Sequence, residues 1–192
     1  MSDLLTLGFD TSAAHCAAAL LRGDTLLVAR AEEMTRGQAE RLFPLLEEVL
    51  AEGGVTWAEL DRIGVGVGPG NFTGIRISVS AARGLALSLA IPAVGVSTFE
   101  AIALLAPWRS AAVPAPRDHL YVFAPGGTPE LLPAAEAGDP ALPPAGPALA
   151  EAIARVAAQA ATEGLAAPAP LYLKPADAAP PRDPAPRILD DA

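Results

Sequence analysis

Proline placement constrains the fold of this chain more than any other feature of the sequence. Only three of the 20 prolines, at positions 44, 69 and 92, precede residue 107, and the other 17 lie in the last 86 residues. Because proline interrupts helices and the ladders of central strands, the two halves must be built differently. We therefore predict a regular lobe over residues 1–106, a reduced second lobe over 107–174 and a mobile, proline-rich tail over 175–192.

The first half carries the periodicities of alternating strands and helices. Apolar runs predict three antiparallel strands, followed in turn by helices and further strands. The predicted strands are 4–9, 15–21, 25–30, 62–67 and 93–96, and the predicted helices are 35–52, 73–90 and 97–106. This order is typical of an α/β fold with a mixed sheet. The weaker pattern of the second half predicts strands at 111–114, 119–124 and 171–173 and a helix at 148–163.

Three helical segments begin with the sequence of a capping box. Thr35, Thr56 and Ser97 are each followed three positions later by glutamine or glutamate, which closes the reciprocal hydrogen bonds of that motif. The box at Thr56 predicts a single helical turn. Pro44 lies inside the first predicted helix, and we expect it to bend that helix rather than abolish it.

A glycine-rich segment lies between a predicted strand and a predicted helix, with glycine at positions 64, 66, 68, 70 and 74. It does not match the dinucleotide fingerprint, because Thr73 stands where that motif has its third glycine. One interpretation is a vestigial phosphate loop at a helix N-terminus, formed by Gly68, Gly70, Thr73 and Gly74. The other is that the glycines admit a tight turn and close packing of neighbouring elements.

Asp10, Thr11 and Ser12 extend the same hypothesis, since they lie where the first predicted strand turns into the second. A carboxylate beside two hydroxyl groups can hold a phosphate or its metal ion. It can equally satisfy the backbone of its own turn, as aspartate and serine often do. The sequence leaves both interpretations open.

Composition argues against several classes of function. The net charge is −9, from 13 basic and 22 acidic residues, so we expect no nucleic-acid binding by this chain alone. A single cysteine, Cys16, excludes an internal disulfide and a thiolate metal cage, and we expect it to be a small buried residue. His15 and His119 lack metal-ligand spacing and are expected to be structural. With no secretory signal pattern and no predicted membrane span, the expected location is cytoplasmic.

Five segments, in this order along the chain, resemble the TsaB (YeaZ) family of bacterial tRNA-modification proteins. They are Leu7-Gly-Phe-Asp-Thr-Ser, Thr35-Arg-Gly-Gln-Ala-Glu-Arg-Leu-Phe-Pro-Leu-Leu, Gly66-Val-Gly-Pro-Gly-Asn-Phe-Thr-Gly-Ile-Arg, Arg83-Gly-Leu-Ala and Pro92-Ala-Val-Gly-Val-Ser-Thr-Phe-Glu. The resemblance extends over residues 4 to about 106, with weaker echoes at 119–123 and 170–173. It implies an actin-like ATPase (RNase H-like) fold with a shortened second lobe.

The resemblance also implies a non-catalytic scaffold subunit for threonylcarbamoyl transfer to the tRNA adenosine next to the anticodon. The implied partners are a catalytic TsaD-type subunit and a TsaE-type ATPase, which would carry the ATP and metal, and a homodimer is possible. Catalytic TsaD-type chains have paired metal-binding histidines in a helix that here contains Gln38-Ala-Glu-Arg-Leu-Phe and no histidine. The alternative is an autonomous ATP- or metal-dependent enzyme of the same fold, a glycoprotease-like hydrolase or a carbamoyltransferase.

The predicted helix 73–90 and its neighbour over 38–52 are the expected partner surface. The first carries only two charges, Arg76 and Arg83, and aligns small residues on the side away from the sheet, where another helix could approach closely. The second has a wide apolar stripe. Because the resemblance implies pairing through these helices, we expect partner contacts from Leu42, Leu45, Leu46, Val49, Ser80, Gly84 and Ser88. Alternatively, the two helices pack only on each other and on the sheet.

Overall fold

The computed structural model describes residues 3–173 and centres on a mixed five-stranded sheet. Its strands are β1 (Leu5–Asp10), β2 (His15–Arg22), β3 (Thr25–Glu33), β4 (Arg62–Gly66) and β5 (Ala93–Val96), in the order β3-β2-β1-β4-β5. The first three form an antiparallel meander, and β4 and β5 continue beside β1 in parallel. The predicted α/β class with a mixed sheet is confirmed. The tail predicted over 175–192 lies outside the described residues.

Helices cover both faces of this sheet. They are α1 (Gln38–Glu52), α2 (Phe72–Leu89), α3 (Thr98–Leu105) and α4 (Gly146–Gln159). Side chains alternate between the two faces of a strand. Accordingly, Leu7 and Phe9 of β1 join the buried core beneath α1 and α2, whereas Gly8 between them faces α4. No helix in the described part of the chain is long and apolar enough to cross a membrane.

The helix starts confirm two of the three predicted capping boxes. Ser97 caps α3, since its backbone N–H donates to Glu100 at 2.7 Å and its hydroxyl accepts from the Glu100 backbone at 3.1 Å. Thr56 and Glu59 close the box of a short 3₁₀ turn. The box predicted at Thr35 is wrong. Helix α1 begins only at Gln38, because the preceding residue, Gly37, has a φ of 87° and cannot lie inside a right-handed helix.

A second, smaller sheet forms from strands β6 (Ala111–Ala115), β7 (His119–Phe123) and β8 (Glu130–Pro133), all antiparallel. The first two were predicted from their apolar runs. Strand β8 was missed because Pro129 precedes it and Pro133 is its last residue, and proline argues against a strand except at an edge. The strand expected at 171–173 is absent from the described sheets, although the Leu171 N–H donates to the Val67 carbonyl at 2.8 Å.

Helix α4 lies beyond residue 106 in sequence, yet it packs on the sheet of the predicted first lobe. The approach is close because β1 and β4 present glycine to it. A Cβ at Gly8 would lie 2.7 Å from the Ala150 carbonyl and the Ala154 nitrogen, and one at Gly64 would lie 2.7 Å from the Ala157 side chain. The division into lobes at residue 106 therefore stays a prediction. Helix α4 belongs to the predicted second lobe in sequence but packs on strands of the predicted first lobe.

Arg62 holds the other end of α4. Its Nη1 donates to three carbonyl oxygens at the C-terminal end of the helix, those of Ala157, Ala158 and Ala160, at 2.6, 3.0 and 2.8 Å. The residue is 9% exposed. The last carbonyls of a helix have no partner inside it, so a buried guanidinium satisfies groups that would otherwise be orphaned. This contact joins β4 to the far end of α4.

Two glycine substitutions should change stability in opposite directions. Gly8→Ala forces backbone of α4 away from the sheet and should destabilise the chain by about 1–3 kcal/mol. The matched variant Gly84→Ala places a methyl group where nothing lies within 4 Å and should stabilise α2 by about 0.5–1 kcal/mol. Urea unfolding followed by circular dichroism measures both free energies. Equal effects of the two variants would contradict the close packing of α4.

Candidate interaction groove and glycine loop

The Asp10 carboxylate is used within its own turn. Its Oδ2 accepts hydrogen bonds from the Ser12 backbone N–H at 2.9 Å, the Ser12 hydroxyl at 3.0 Å and Nε2 of His15 at 2.8 Å. Asp10 is 1% exposed, and its Oδ1 has no partner among the described residues. This geometry supports the turn interpretation, because three donors already converge on one oxygen. It also explains His15 as a structural residue.

The glycine segment packs against the tip of the β1–β2 hairpin. The Asn71 N–H donates to the Ser12 carbonyl at 2.6 Å, and the Thr11 hydroxyl donates to the Gly74 carbonyl at 2.7 Å. A Cβ at Gly70 or Gly74 would collide with the backbone of the hairpin tip. These glycines are therefore explained by close backbone approach.

The structure brings Gly70 and Gly74 of the phosphate-loop candidates against Thr11 and Ser12 at this junction, whereas Gly68 packs against Ile75. Asp10, Thr11 and Ser12 are buried beside the loop, whereas Thr73 is exposed and lines a groove between α1 and α2. The N-terminus of α2 is capped from within, since Oδ1 of Asn71 accepts from the Gly74 N–H at 2.9 Å. Phosphate binding by the candidates as a set stays a prediction.

Helices α1 and α2 enclose an open groove of about 850 Å³. Leu42, Ile77 and Leu85 line it, and Phe43 and Phe72 stand beside them, 43% and 50% exposed. Ser80, Gly84 and Ser88 face the groove and are exposed, as their spacing predicts. The result is an apolar trough with one wall that has almost no side-chain bulk.

Three of the residues expected to contact a partner cannot do so from this groove. Leu45, Leu46 and Val49 are fully buried in the core of the chain and do not line it. At 3.6 residues per turn they lie on the side of α1 that faces the sheet, and Leu42 sits at the boundary, 1% exposed. The large apolar residue of α1 that lines the groove and is exposed to solvent is Phe43.

The segment after α4 contributes to the rim of α2, which sequence analysis missed. Tyr172 stacks on Phe72 with ring centroids 5.1 Å apart, and its hydroxyl accepts from Nε of Arg76 at 2.8 Å. The Arg76 guanidinium carbon lies 3.9 Å from the centre of the Phe72 ring. Arg76 and Tyr172 are 96 positions apart, so no local pattern could have paired them.

On the opposite side of α1, an ion network joins the helix to β3. Nε of Arg41 donates to Glu32 at 2.8 Å, its Nη1 donates to Glu48 at 2.8 Å, and Arg30 contacts Glu52 at 2.6 Å. The hydrogen bonds from Arg41 hold the pKa values of Glu32 and Glu48 below their usual range. Apart from Arg41, which is partly buried, these side chains are solvent-exposed, so the network orients side chains more than it stabilises the fold.

Comparisons with known proteins agree with this architecture. A family model described as "TsaD: tRNA N6-adenosine threonylcarbamoyltransferase" matches residues 31–174. The TsaB proteins of Buchnera aphidicola (from Schizaphis graminum) and Escherichia coli K12, named for tRNA threonylcarbamoyladenosine biosynthesis, are 37% and 36% identical over 109 and 103 residues, or 57% and 54% of this chain. These matches cover 50% and 44% of the relatives, so this chain spans about half their length.

Solved structures carry the same fold. YeaZ from Pseudomonas aeruginosa is 30% identical, covers 71% of this chain and 70% of its own, and gives a TM-score of 0.59. A second structure, described as an uncharacterized protein with similarity to peptidase YeaZ from P. aeruginosa, gives 0.68 at 27% identity and covers 89% of this chain and 100% of its own. The fold is thus of the actin-like ATPase (RNase H-like) class. The shortened second lobe stays a prediction.

The family model covers well over half of the residues. The chain therefore belongs to the family that this model describes, and within it to the TsaB (YeaZ) group.

Cys16 should be chemically inert in the folded chain. It is fully buried, and burial raises the pKa of its thiol to about 11 from an ordinary value of 9.0. Only the thiolate reacts with a disulfide reagent, so the raised pKa alone lowers reactivity about a hundredfold at pH 8. Release of thionitrobenzoate from Ellman's reagent measures the rate in native buffer and in denaturant. Similar rates in the two solutions would contradict this prediction.

Proposed function

We propose that this chain is a non-catalytic subunit in the synthesis of threonylcarbamoyladenosine in tRNA. In this role it pairs with a TsaD-type catalytic subunit, and a TsaE-type ATPase acts with the pair. The observation that carries the proposal is the apolar groove between α1 and α2, because exposed phenylalanines beside a wall of small residues fit a packed helix. The names of the TsaB relatives support the reaction to which the pair contributes.

The family match supports a partner of similar architecture. The model that matches residues 31–174 describes a threonylcarbamoyltransferase, so a TsaD-type subunit is related to this chain over the region that contains α1 and α2. Two related subunits can stack their helix pairs face to face. Small residues such as Gly84 permit the close approach that such stacking needs.

Assigning the chemistry to the partner is supported by what the candidate residues do here. Asp10 is engaged by Ser12 and His15. In α1, where the resemblance places paired metal-binding histidines in catalytic chains, Arg41 is tied to β3 and Leu42 is buried. ATP and metal are therefore proposed to bind the partner subunits, and the chain's contribution is the docking surface.

Gly84→Leu should weaken pairing strongly and leave the chain folded. No atom lies within 4 Å of the added Cβ, so the fold accepts the side chain, but an opposed helix would be forced away. Overpacking of about 1–3 kcal/mol corresponds to roughly 5- to 150-fold weaker affinity. Isothermal titration with the TsaD-type subunit of the same organism measures this loss. The matched control is Ala58→Leu, which adds the same side chain at an exposed site outside the groove. Unchanged affinity of the Gly84 variant would place the interface elsewhere.

The isolated chain should neither release ADP nor cleave peptides, whereas the reconstituted set of subunits should modify tRNA. Asp10→Ala distinguishes this role from that of an autonomous enzyme of the same fold. It should lower the stability of the chain through loss of the turn hydrogen bonds, by about 1–3 kcal/mol. Nucleotide hydrolysis by the purified chain that is lost in Asp10→Ala would contradict the proposal.

A further inference from the structure

The two edges of the groove carry opposite charges. On α2, Arg76 lines the groove and Arg83 lines the adjoining shallow pocket beside Pro170. On α1, Glu40 and Glu47 are exposed and follow Phe43 around the helix, about 40–60° further from the core. Each pair is seven residues apart, which is about 10.5 Å along a helix and nearly the same face. An acidic edge and a basic edge of equal spacing therefore flank the same apolar trough.

These four side chains are not used in ion pairs within the part of the chain that the structure describes. The described ion pairs of α1 involve Arg41, Glu48 and Glu52, which face β3 on the other side of the helix. Glu40 and Glu47 take part in none of them, and neither do the two arginines of α2. The four charged groups at the groove edges are therefore available to pair with groups of another molecule.

Arg76 is held in place for such a partner. Nε donates to the Tyr172 hydroxyl at 2.8 Å and the guanidinium lies over the Phe72 ring, while no described hydrogen bond uses its Nη atoms. A guanidinium fixed on one side presents its remaining donors in a planar fork that matches a carboxylate. Binding would therefore immobilise Arg76 with a smaller loss of side-chain conformational entropy, because the side chain is already ordered in the unbound chain.

We propose that the groove takes the TsaD-type subunit, through docking helices that carry carboxylates opposite Arg76 and Arg83 and basic groups opposite Glu40 and Glu47. This inference rests on the proposed function and specifies the chemistry of the partner surface. The charge order admits only one orientation, since a partner turned by half a turn about the groove normal would place like charges together. A nucleic acid fits less well, because its phosphates would meet the acidic edge and a chain of net charge −9.

Two double charge reversals test the inference. Arg76→Glu with Arg83→Glu, and Glu40→Lys with Glu47→Lys, should each weaken binding of the TsaD-type subunit by about tenfold or more at low salt. The controls change the net charge equally at exposed sites elsewhere: Arg22→Glu with Arg117→Glu, and Glu136→Lys with Glu163→Lys. These should stay within about twofold of the wild type. The affinity of the wild-type chain should itself decrease as the salt concentration is raised from about 50 to about 500 mM.

Each other outcome overturns the inference. Reversals that bind like their controls would show that the edges make no directed contact. Loss of tRNA binding with unchanged subunit affinity would assign the arginines to RNA, and pairing that is restored only when the two reversed variants are mixed would assign the groove to a second copy of this chain. Gly84→Leu separates the proposed function from this inference. If Gly84→Leu weakens pairing and the charge reversals do not, the result supports the proposed docking groove and contradicts only the inferred charge order.

Discussion

The junction between the β1–β2 hairpin tip and the glycine loop is the constraint on which the position of α2, and so the groove beside it, depends. Two hydrogen bonds, from Asn71 to Ser12 and from Thr11 to Gly74, attach the start of α2 to the end of β1. They form only because glycine lets the two backbones touch. These bonds fix the start of α2 relative to the end of β1, and α2 lines one side of the groove that it shares with α1. The candidate phosphate loop thus supports one wall of the groove that we propose as the docking surface.

Local sequence patterns identified most elements of the first half because those elements are determined locally. The Ser97 box, the strand alternation of β1 and β2 and the small-residue wall of α2 each lie within a few residues. The expected partner residues Leu45, Leu46 and Val49 were misplaced for a different reason. An apolar stripe on a helix shows that the face is covered, but only the position of the sheet decides whether the chain or a partner covers it.

Long-range contacts were beyond local patterns for a related reason. Arg62 in β4 satisfies carbonyls almost one hundred residues away, and Tyr172 supports Arg76 across a similar distance. The residues next to each arginine in the sequence give no indication of these partners. The C-terminal half, predicted to be a reduced second lobe, supplies helix α4, which packs on one face of the central sheet. Contacts of this kind depend on chain topology, which periodicity does not report.

The position of α4 in the sequence has a consequence for synthesis of the chain on the ribosome. The last strand of the sheet ends at Val96, but the helix that covers its second face begins about fifty residues later, at Gly146. At about 5–20 residues per second, that face stays bare for several seconds. Its three central strands contribute Gly8, Gly64, Ala17 and Ala19, which expose little apolar area while α4 is missing. The glycines that let α4 pack closely therefore also limit non-specific hydrophobic association of this face before α4 has been synthesised.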